Sequence, residues 1–172
     1  MNQDHVKGES FHEAALQQLE GLYAFAMTLT RDSAAAEDLV QETYLRAMLA
    51  YRQPQKGNNL KPWLFIIMRN LWRNEARRRR SGPQFTALDG NRRLGLSDPS
   101  HEPHVVHLRL VRLEALRVAI EQLPAVYRDV VVLRDLEGFS YREIAEVLAC
   151  PVGTVMSRLA RGRAYLKQRL AK

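Results

Sequence analysis

Thr154, Ser157, Arg158 and Arg161 recur at i, i+3, i+4 and i+7, the spacing that lines side chains along one face of a helix. Small hydroxyls and arginines on such a face suit the major groove of duplex DNA, where they meet base edges and phosphates. A second group lies far upstream. Asn70, Arg73, Arg77 and Arg80 fall at i, i+3, i+7 and i+10, with Trp72 and Asn74 close by. Basic residues interleaved with amides and an aromatic suit nucleic acid, including unpaired bases. Taken alone, the arginine run 77–80 fits a solvated, frayed helix end equally well. No Gly-rich phosphate loop and no convincing catalytic constellation occurs, and Ser157 has no evident base partner. His101, His104 and His107 are regularly spaced and Cys150 is a free thiol. Unconstrained linker histidines and a small apolar turn residue account for these better than a metal or redox site. Neither a metal nor a cofactor is expected.

The elements that must position these groups are all helical. Residues 136–165 read LEGFSYREIAEVLACPVGTVMSRLARGRAY, a helix-turn-helix. Ser140 and Glu143 have capping-box spacing, and Ile144, Ala145 and Leu148 give the first helix an apolar face. Ala149-Cys150-Pro151 breaks it. The second helix starts near Gly153, with Val155, Leu159, Gly162 and Leu166 inside. Two helices precede this unit. One runs from about Val105, with Leu108, Val111, Ala115, Ala119 and Leu123 on one face; the other runs from Pro124 to about Leu136, with Val126, Val130, Val131 and Leu133 apolar. In the N-terminal half, Ser10 and Glu13 cap a helix whose face is Phe11, Ala15, Leu19, Leu22, Ala26 and Leu29. Ser33 caps a second, from Ala34 to about Tyr51, with Ala36, Val40, Thr43, Ala47 and Met48 inside and Asp38, Gln41, Glu42 and Arg46 outside. Residues 54–61 form a polar loop. Pro62 opens a third helix to about Arg80, with Leu64, Ile67, Met68 and Leu71 facing inward, and Trp63 and Phe65 in the core. Residues 81–104 are rich in Gly, Pro, Ser and Asp and lack periodicity, which marks a flexible linker. The expected architecture is therefore all-α: two small helical domains, 1–80 and 105–172, joined by residues 81–104.

Bulk properties agree. The 172 residues carry a net charge of +7 and 46% apolar side chains, enough for packed cores beside a polyanionic partner. The excess positive charge lies beyond residue 60; before it, acids outnumber bases. A single cysteine fits a reducing compartment, the polar N-terminus lacks a signal-peptide core, and the apolar run 63–68 is far too short for a bilayer. A cytoplasmic protein without membrane insertion is the expectation.

With both halves in view, the chain resembles an extracytoplasmic-function sigma factor, the smallest kind in the sigma-70 family. LEGFSYREIAEVL and PVGTVMSRLARGRAYL are similar to its fourth conserved region, and AEDLVQETYLRA and NNLKPWLFIIMRNLWRNEARRRR to its second. The resemblance spans roughly 11–80 and 108–170. It implies a promoter-specificity subunit that binds core RNA polymerase and catalyses nothing itself. The C-terminal domain would read the −35 element as duplex and dock on the β flap. Met156, Ser157, Ala160 and Arg161 match base-facing positions, and Tyr141, Arg142, Thr154, Arg158 and Arg163 are phosphate and packing candidates. The N-terminal domain would open the −10 element through Lys56, Asn58, Asn59, Lys61, Asn70, Arg73, Asn74, Arg77 and Arg80. Asp38, Gln41 and Glu42 match the helix that binds the β′ clamp helices. An anti-sigma factor is the expected inhibitor, and NNLKPWLF resembles the general-stress members of the family.

Two positions depart from the family's pattern. Ala149 stands where glycine is common, and a left-handed backbone there would cost alanine about 1–2 kcal/mol. Met156 replaces a frequent basic residue and offers apolar contact instead. Two other classes compete with the sigma reading. A stand-alone transcription factor would bind paired half-sites as a dimer, and a regulatory sigma-like decoy would not need Arg161.

Overall fold

The computed structural model describes residues 11–51, 59–81 and 114–171, with side chains to Arg79 in the middle segment. Every element among them is helical: α1 (11–16), α2 (Leu19–Thr30), α3 (Ser33–Ala50), α4 (Leu60–Ser81), α5 (114–121), α6 (Ala125–Val131), α7 (Tyr141–Leu148) and α8 (Val152–Leu170). A π-helical turn, Val132–Leu136, extends α6.

The first half is a three-helix unit of α2, α3 and α4. Its opening helix is not continuous as the periodicity predicts. At Gln17-Gln18 the ladder tightens, with Gln18 N donating to Ala15 O at 3.0 Å. The change of register carries Leu19 to the surface, while Phe11, Ala15, Leu22 and Ala26 stay buried. α2 ends on Arg31, left-handed at φ 59. The cap of α3 is Asp32 rather than Ser33: its carboxylate accepts from Ala35 N at 2.9 Å, and Ser33 is already helical. Ala36, Val40, Thr43 and Ala47 line the buried face of α3. Met48 lies one step, about 100°, round from Ala47 and is exposed. On α4, Leu64, Phe65 and Met68 are fully buried, and Trp63 packs against them.

The second half packs α6 and α7 against α8. Pro124 precedes α6 as expected, but Val126 and Ala115 are exposed. The buried stretch runs unbroken from Arg128 to Leu133. The wider π turn explains why four consecutive apolar residues, Val130 to Leu133, all face inward where an α-helix would turn one outward. Arg128, buried among them, donates to Glu121 O at 3.3 Å. Burial, with the like charge of Arg31, pushes its guanidinium below the ordinary value.

One hydrophobic cluster runs through both halves. Phe25 stacks on Phe65 with ring centroids 5.4 Å apart, and Phe65 meets Phe139 edge-on at 4.9 Å. Phe139, just before α7, thus plugs the second half onto α4. The expected linker, 81–104, and the capping box at Ser10 fall outside the described residues, apart from the helical backbone of Ser81. So does the start of the helix expected at Val105.

Candidate nucleic-acid interface

The helix-turn-helix forms as its residues dictate. Ser140 caps α7: its hydroxyl accepts from Glu143 N at 3.3 Å, and the Glu143 carboxylate accepts from Ser140 N at 2.8 Å. These hydrogen bonds from Ser140 hold the Glu143 carboxyl below the usual carboxylate range. At the far end Ala149 is left-handed, φ 49 and ψ 53. Cys150 N donates to Ala145 O at 3.0 Å and Ala149 N to Glu146 O at 3.2 Å, the paired bonds of a Schellman turn. Pro151 then precedes α8 in extended conformation.

α8 buries the expected inner stripe and exposes two of the four residues expected on its outer one, Ser157 and Arg161. Val155, Leu159, Gly162 and Leu166 are buried. Met156, Ser157, Ala160 and Arg161 are exposed together, while Thr154 and Arg158 are half-buried at their margin. The Ser157 hydroxyl donates to Thr154 O at 3.0 Å, which fixes its rotamer and leaves its lone pairs outward. Arg163 is tied down: its Nε donates to Asp135 Oδ2 at 3.1 Å and its Nη2 to Oδ1. The carboxylate raises the Arg163 guanidinium further above its ordinary value. Arg163 thereby pins α8 to the π turn, a structural duty. Asp135, which supplies the other end, carries no sequence signal of its own. Tyr141 is half-buried under the Arg134 guanidinium, 5.0 Å from its ring centre, and Arg142 is exposed at the start of α7.

The α4 group divides in two. Asn70, Arg73, Asn74 and Arg77 are exposed along the outer part of the helix, and Arg77 donates to Asn74 Oδ1 at 3.0 Å. Trp72 is half-buried beside them. Asn59 and Lys61, at the other end, face the second half instead. Asn59 Nδ2 donates to Glu143 Oε1 at 3.1 Å. Lys61 Nζ pairs with Glu137 Oε2 at 2.9 Å, donates to Glu137 O at 2.9 Å and lies 5.2 Å from the Phe139 ring centre. Further along, Arg69 reaches Asp129 of α6 at 3.7 Å. Burial raises the Asp129 carboxyl above its ordinary value, outweighing the opposing pull of Arg69, Arg128 and Arg158. Lys56, Asn58 and the side chain of Arg80 lie outside the described residues.

On α3, Asp38 and Gln41 are exposed and Glu42 is half-buried, paired with Arg46 at 2.6 Å. Leu45 and Leu49 continue the same face and are 55% and 81% exposed. Helical periodicity already sets Leu45 and Leu49 opposite the buried stripe Ala36, Val40, Thr43 and Ala47, and the fold leaves them uncovered. Among the described residues no group of His, Cys, Asp and Glu could hold a metal ion, and no helix is long and apolar enough to cross a membrane.

Fold and surfaces define a helix-turn-helix DNA-binding protein with a second basic face on another helical unit. Comparison with known proteins narrows this. Residues 16–82 match the family described as Sigma-70 region 2, and residues 113–166 match Sigma-70, region 4. The chain is 37% identical over 159 residues to the ECF RNA polymerase sigma factor EcfG of Rhodopseudomonas palustris (strain TIE-1), covering 92% of this chain and 83% of that one. It is 34% identical over 169 residues to the ECF RNA polymerase sigma factor SigE of Mycolicibacterium smegmatis, spanning 98% of this chain and 65% of SigE. The sigma factor RpoE of Bartonella quintana, solved in complex with the anti-sigma factor NepR, superposes with a TM-score of 0.72 at 32% identity, covering 95% of this chain and 98% of that one. The chain belongs to the extracytoplasmic-function sigma factors of the sigma-70 family. It is an RNA polymerase sigma factor, a member of a family of transcription regulators.

Proposed function

We propose that the chain joins core RNA polymerase and directs it to promoters with two separate grips. α8 reads the −35 duplex. Arg161, exposed on the outer face, makes an arginine-to-guanine contact, and Met156 makes apolar contact with a thymine methyl. Thr154, Arg158, Tyr141 and Arg142 set the register on phosphates. The outer part of α4, with Asn70, Arg73, Asn74 and Arg77, holds the unpaired −10 strand. Asn59, Lys61 and the residues before them receive an extruded base, which must repay the few kcal/mol that unstacking costs. Asp38, Gln41 and Glu42 bind the β′ clamp helices, their acidity suiting a basic surface, and the C-terminal half docks on the β flap. The protein contributes no catalysis of its own. It works in the cytoplasm, with the polymerase and its template, and an anti-sigma factor holds it inactive, as the complex of the Bartonella relative suggests.

The observation that carries this reading is the outward set Met156, Ser157, Ala160 and Arg161 standing over a wholly buried inner stripe, with a second basic face on α4. The test is run-off transcription by purified core polymerase supplemented with this chain on genomic promoter fragments. Promoter-dependent transcripts are expected. Arg161→Glu should lose them by at least about tenfold, since one good arginine–guanine pair is worth about 1–3 kcal/mol, while binding to core polymerase persists. A chain that never binds core would overturn the reading.

A further inference from the structure

Arg134 and Asp135 are adjacent in the π turn, directly after its last buried residue, Leu133. Their side chains reach different helices. Arg134 Nη1 donates to Phe139 O at 2.7 Å, and its guanidinium lies 5.0 Å from the Tyr141 ring centre, so it holds the entry to α7. The Asp135 carboxylate accepts from both Nε, at 3.1 Å, and Nη2 of Arg163 on α8. A pair of this kind engages two donors of a rigid planar fork, so it fixes direction as well as distance. Both helices of the helix-turn-helix are thereby tied to one dipeptide.

Stability does not call for these two arms. Ile144, Val147, Leu148, Val155 and Leu159 are already buried in the core beneath them. An ion pair as open as Arg163–Asp135, with side chains 51% and 33% exposed, adds little to stability. Apolar burial, however, is non-directional, and base reading demands direction: a recognition constellation has to be held within about 0.5 Å and 10–20° of its productive geometry. The residues proposed to set the register on phosphates, Tyr141 and Arg142, open α7, whereas the proposed base-facing set, Met156 to Arg161, stands on α8. The arms connect these two groups through the π turn.

We infer that Arg134 and Asp135 are positioning residues for sequence discrimination at the −35 element: from one π turn they hold the start of α7 and the middle of α8 in the relative orientation at which phosphate and base contacts register on the same duplex. These roles rest on the proposed −35 reading and deepen it. The π turn then does more than keep Val130 to Leu133 buried, since it aims two neighbouring side chains at two helices. Arg163 is likewise set apart from the arginines that touch DNA, because it acts through Asp135. A phosphate-contacting arginine contributes equally on every sequence, whereas a positioning residue matters most where the bases match.

The test uses holoenzyme, core polymerase with the full chain, on a promoter fragment that the wild type transcribes and on the same fragment with single base pairs changed across its −35 element. The readout is the discrimination ratio, transcription from the matched over the changed template. At the positions read, a wrong base pair should lower wild-type transcription by about 5- to 150-fold. Arg134→Gln and Asp135→Ala should each cut that ratio by about fivefold, with the loss falling on the matched template. Arg163→Ala, alone or added to Asp135→Ala, should give the same loss as Asp135→Ala, because the pair acts as one unit. Should Asp135→Ala fail to fold, Asp135→Asn, which keeps the shape and removes the charge, reads the same ratio. An unchanged ratio in either variant would overturn the role of that arm. Equal loss on every template, or a further loss when Arg163→Ala is added to Asp135→Ala, would overturn the positioning, since the pair would then act through affinity and Arg163 through its own contact with DNA. Failure of the −35 reading would show in the wild type itself, as transcription indifferent to every base change, and the positioning roles would fall with it.

Discussion

Ala149 sits in the turn of the helix-turn-helix with φ 49, on the exposed side of the chain. Its side chain is exposed, so a substitution there acts mainly through the backbone. Alanine pays for the left-handed conformation, while glycine loses more freedom on folding; the steric term of about 1–2 kcal/mol outweighs the entropic term of about 0.4–1 kcal/mol. Ala149→Gly should therefore stabilise the protein by up to about 1 kcal/mol, and thermal denaturation should show Tm rising by a few degrees. An unchanged or lower Tm would sink the argument. This residue was legible through the family resemblance, whose pattern commonly carries glycine at that position, while the proline two positions on marks where the helix must end. Ser140 with Glu143 was legible directly, since a capping box is a local device. Ser33 misled for the same local reason: Asp32, one residue earlier, is an equally good cap, and the geometry of the two-residue connection from α2 selects it.

α8 shows how far periodicity alone can reach. Its inner stripe is set by one long helix against α6 and α7, so four positions at helical spacing are enough to orient the reading face. α6 passes close to α8 at Gly162. A Cβ there would come within 2.8 Å of Val131 Cγ2 and 3.4 Å of the Tyr127 carbonyl oxygen. Val131 is branched and buried, so it has little freedom to yield. Gly162→Ala gains about 1 kcal/mol in helix propensity but incurs about 1–3 kcal/mol of overpacking. Net destabilisation, with α8 tilted away from the π turn and the Arg163–Asp135 tether loosened, is the expected outcome. Urea unfolding should show a lower midpoint, and a midpoint at or above wild type would contradict it. The π turn was not legible. A run of Val130 to Leu133 is compatible with a strand or a buried helix, and only packing on both sides reveals that a wider turn keeps all four inside. The break at Gln17-Gln18 was hidden likewise, because the apolar spacing on either side matches an unbroken helix closely.

At the scale of the whole molecule, what the sequence could not convey is the seam between halves. Arg69, Asp129, Glu137 and Glu143 are surface types by composition, and nothing local says that they meet across some sixty to eighty residues of chain. Two of these carboxylates titrate with opposite signs. Glu143 has a lowered pKa from its Ser140 hydrogen bonds, so its contribution to stability is present above the ordinary carboxylate value and is lost as pH falls through the lowered one. Asp129 has a raised pKa because burial outweighs its arginine neighbours on α4, α6 and α8. The native chain therefore binds that proton more readily than the unfolded chain. Stability owed to Asp129 rises as pH falls through the raised value, and it levels off below the ordinary value. Asp129→Asn removes this titration while keeping the shape. Urea midpoints taken stepwise from neutral pH into the upper carboxylate range should show the wild type gaining stability relative to Asp129→Asn. A difference that stays flat, or that widens in favour of the variant, would mean that Arg69 and Arg128 hold the carboxylate more strongly than burial opposes it, and that the seam is an ion pair first and an apolar contact second.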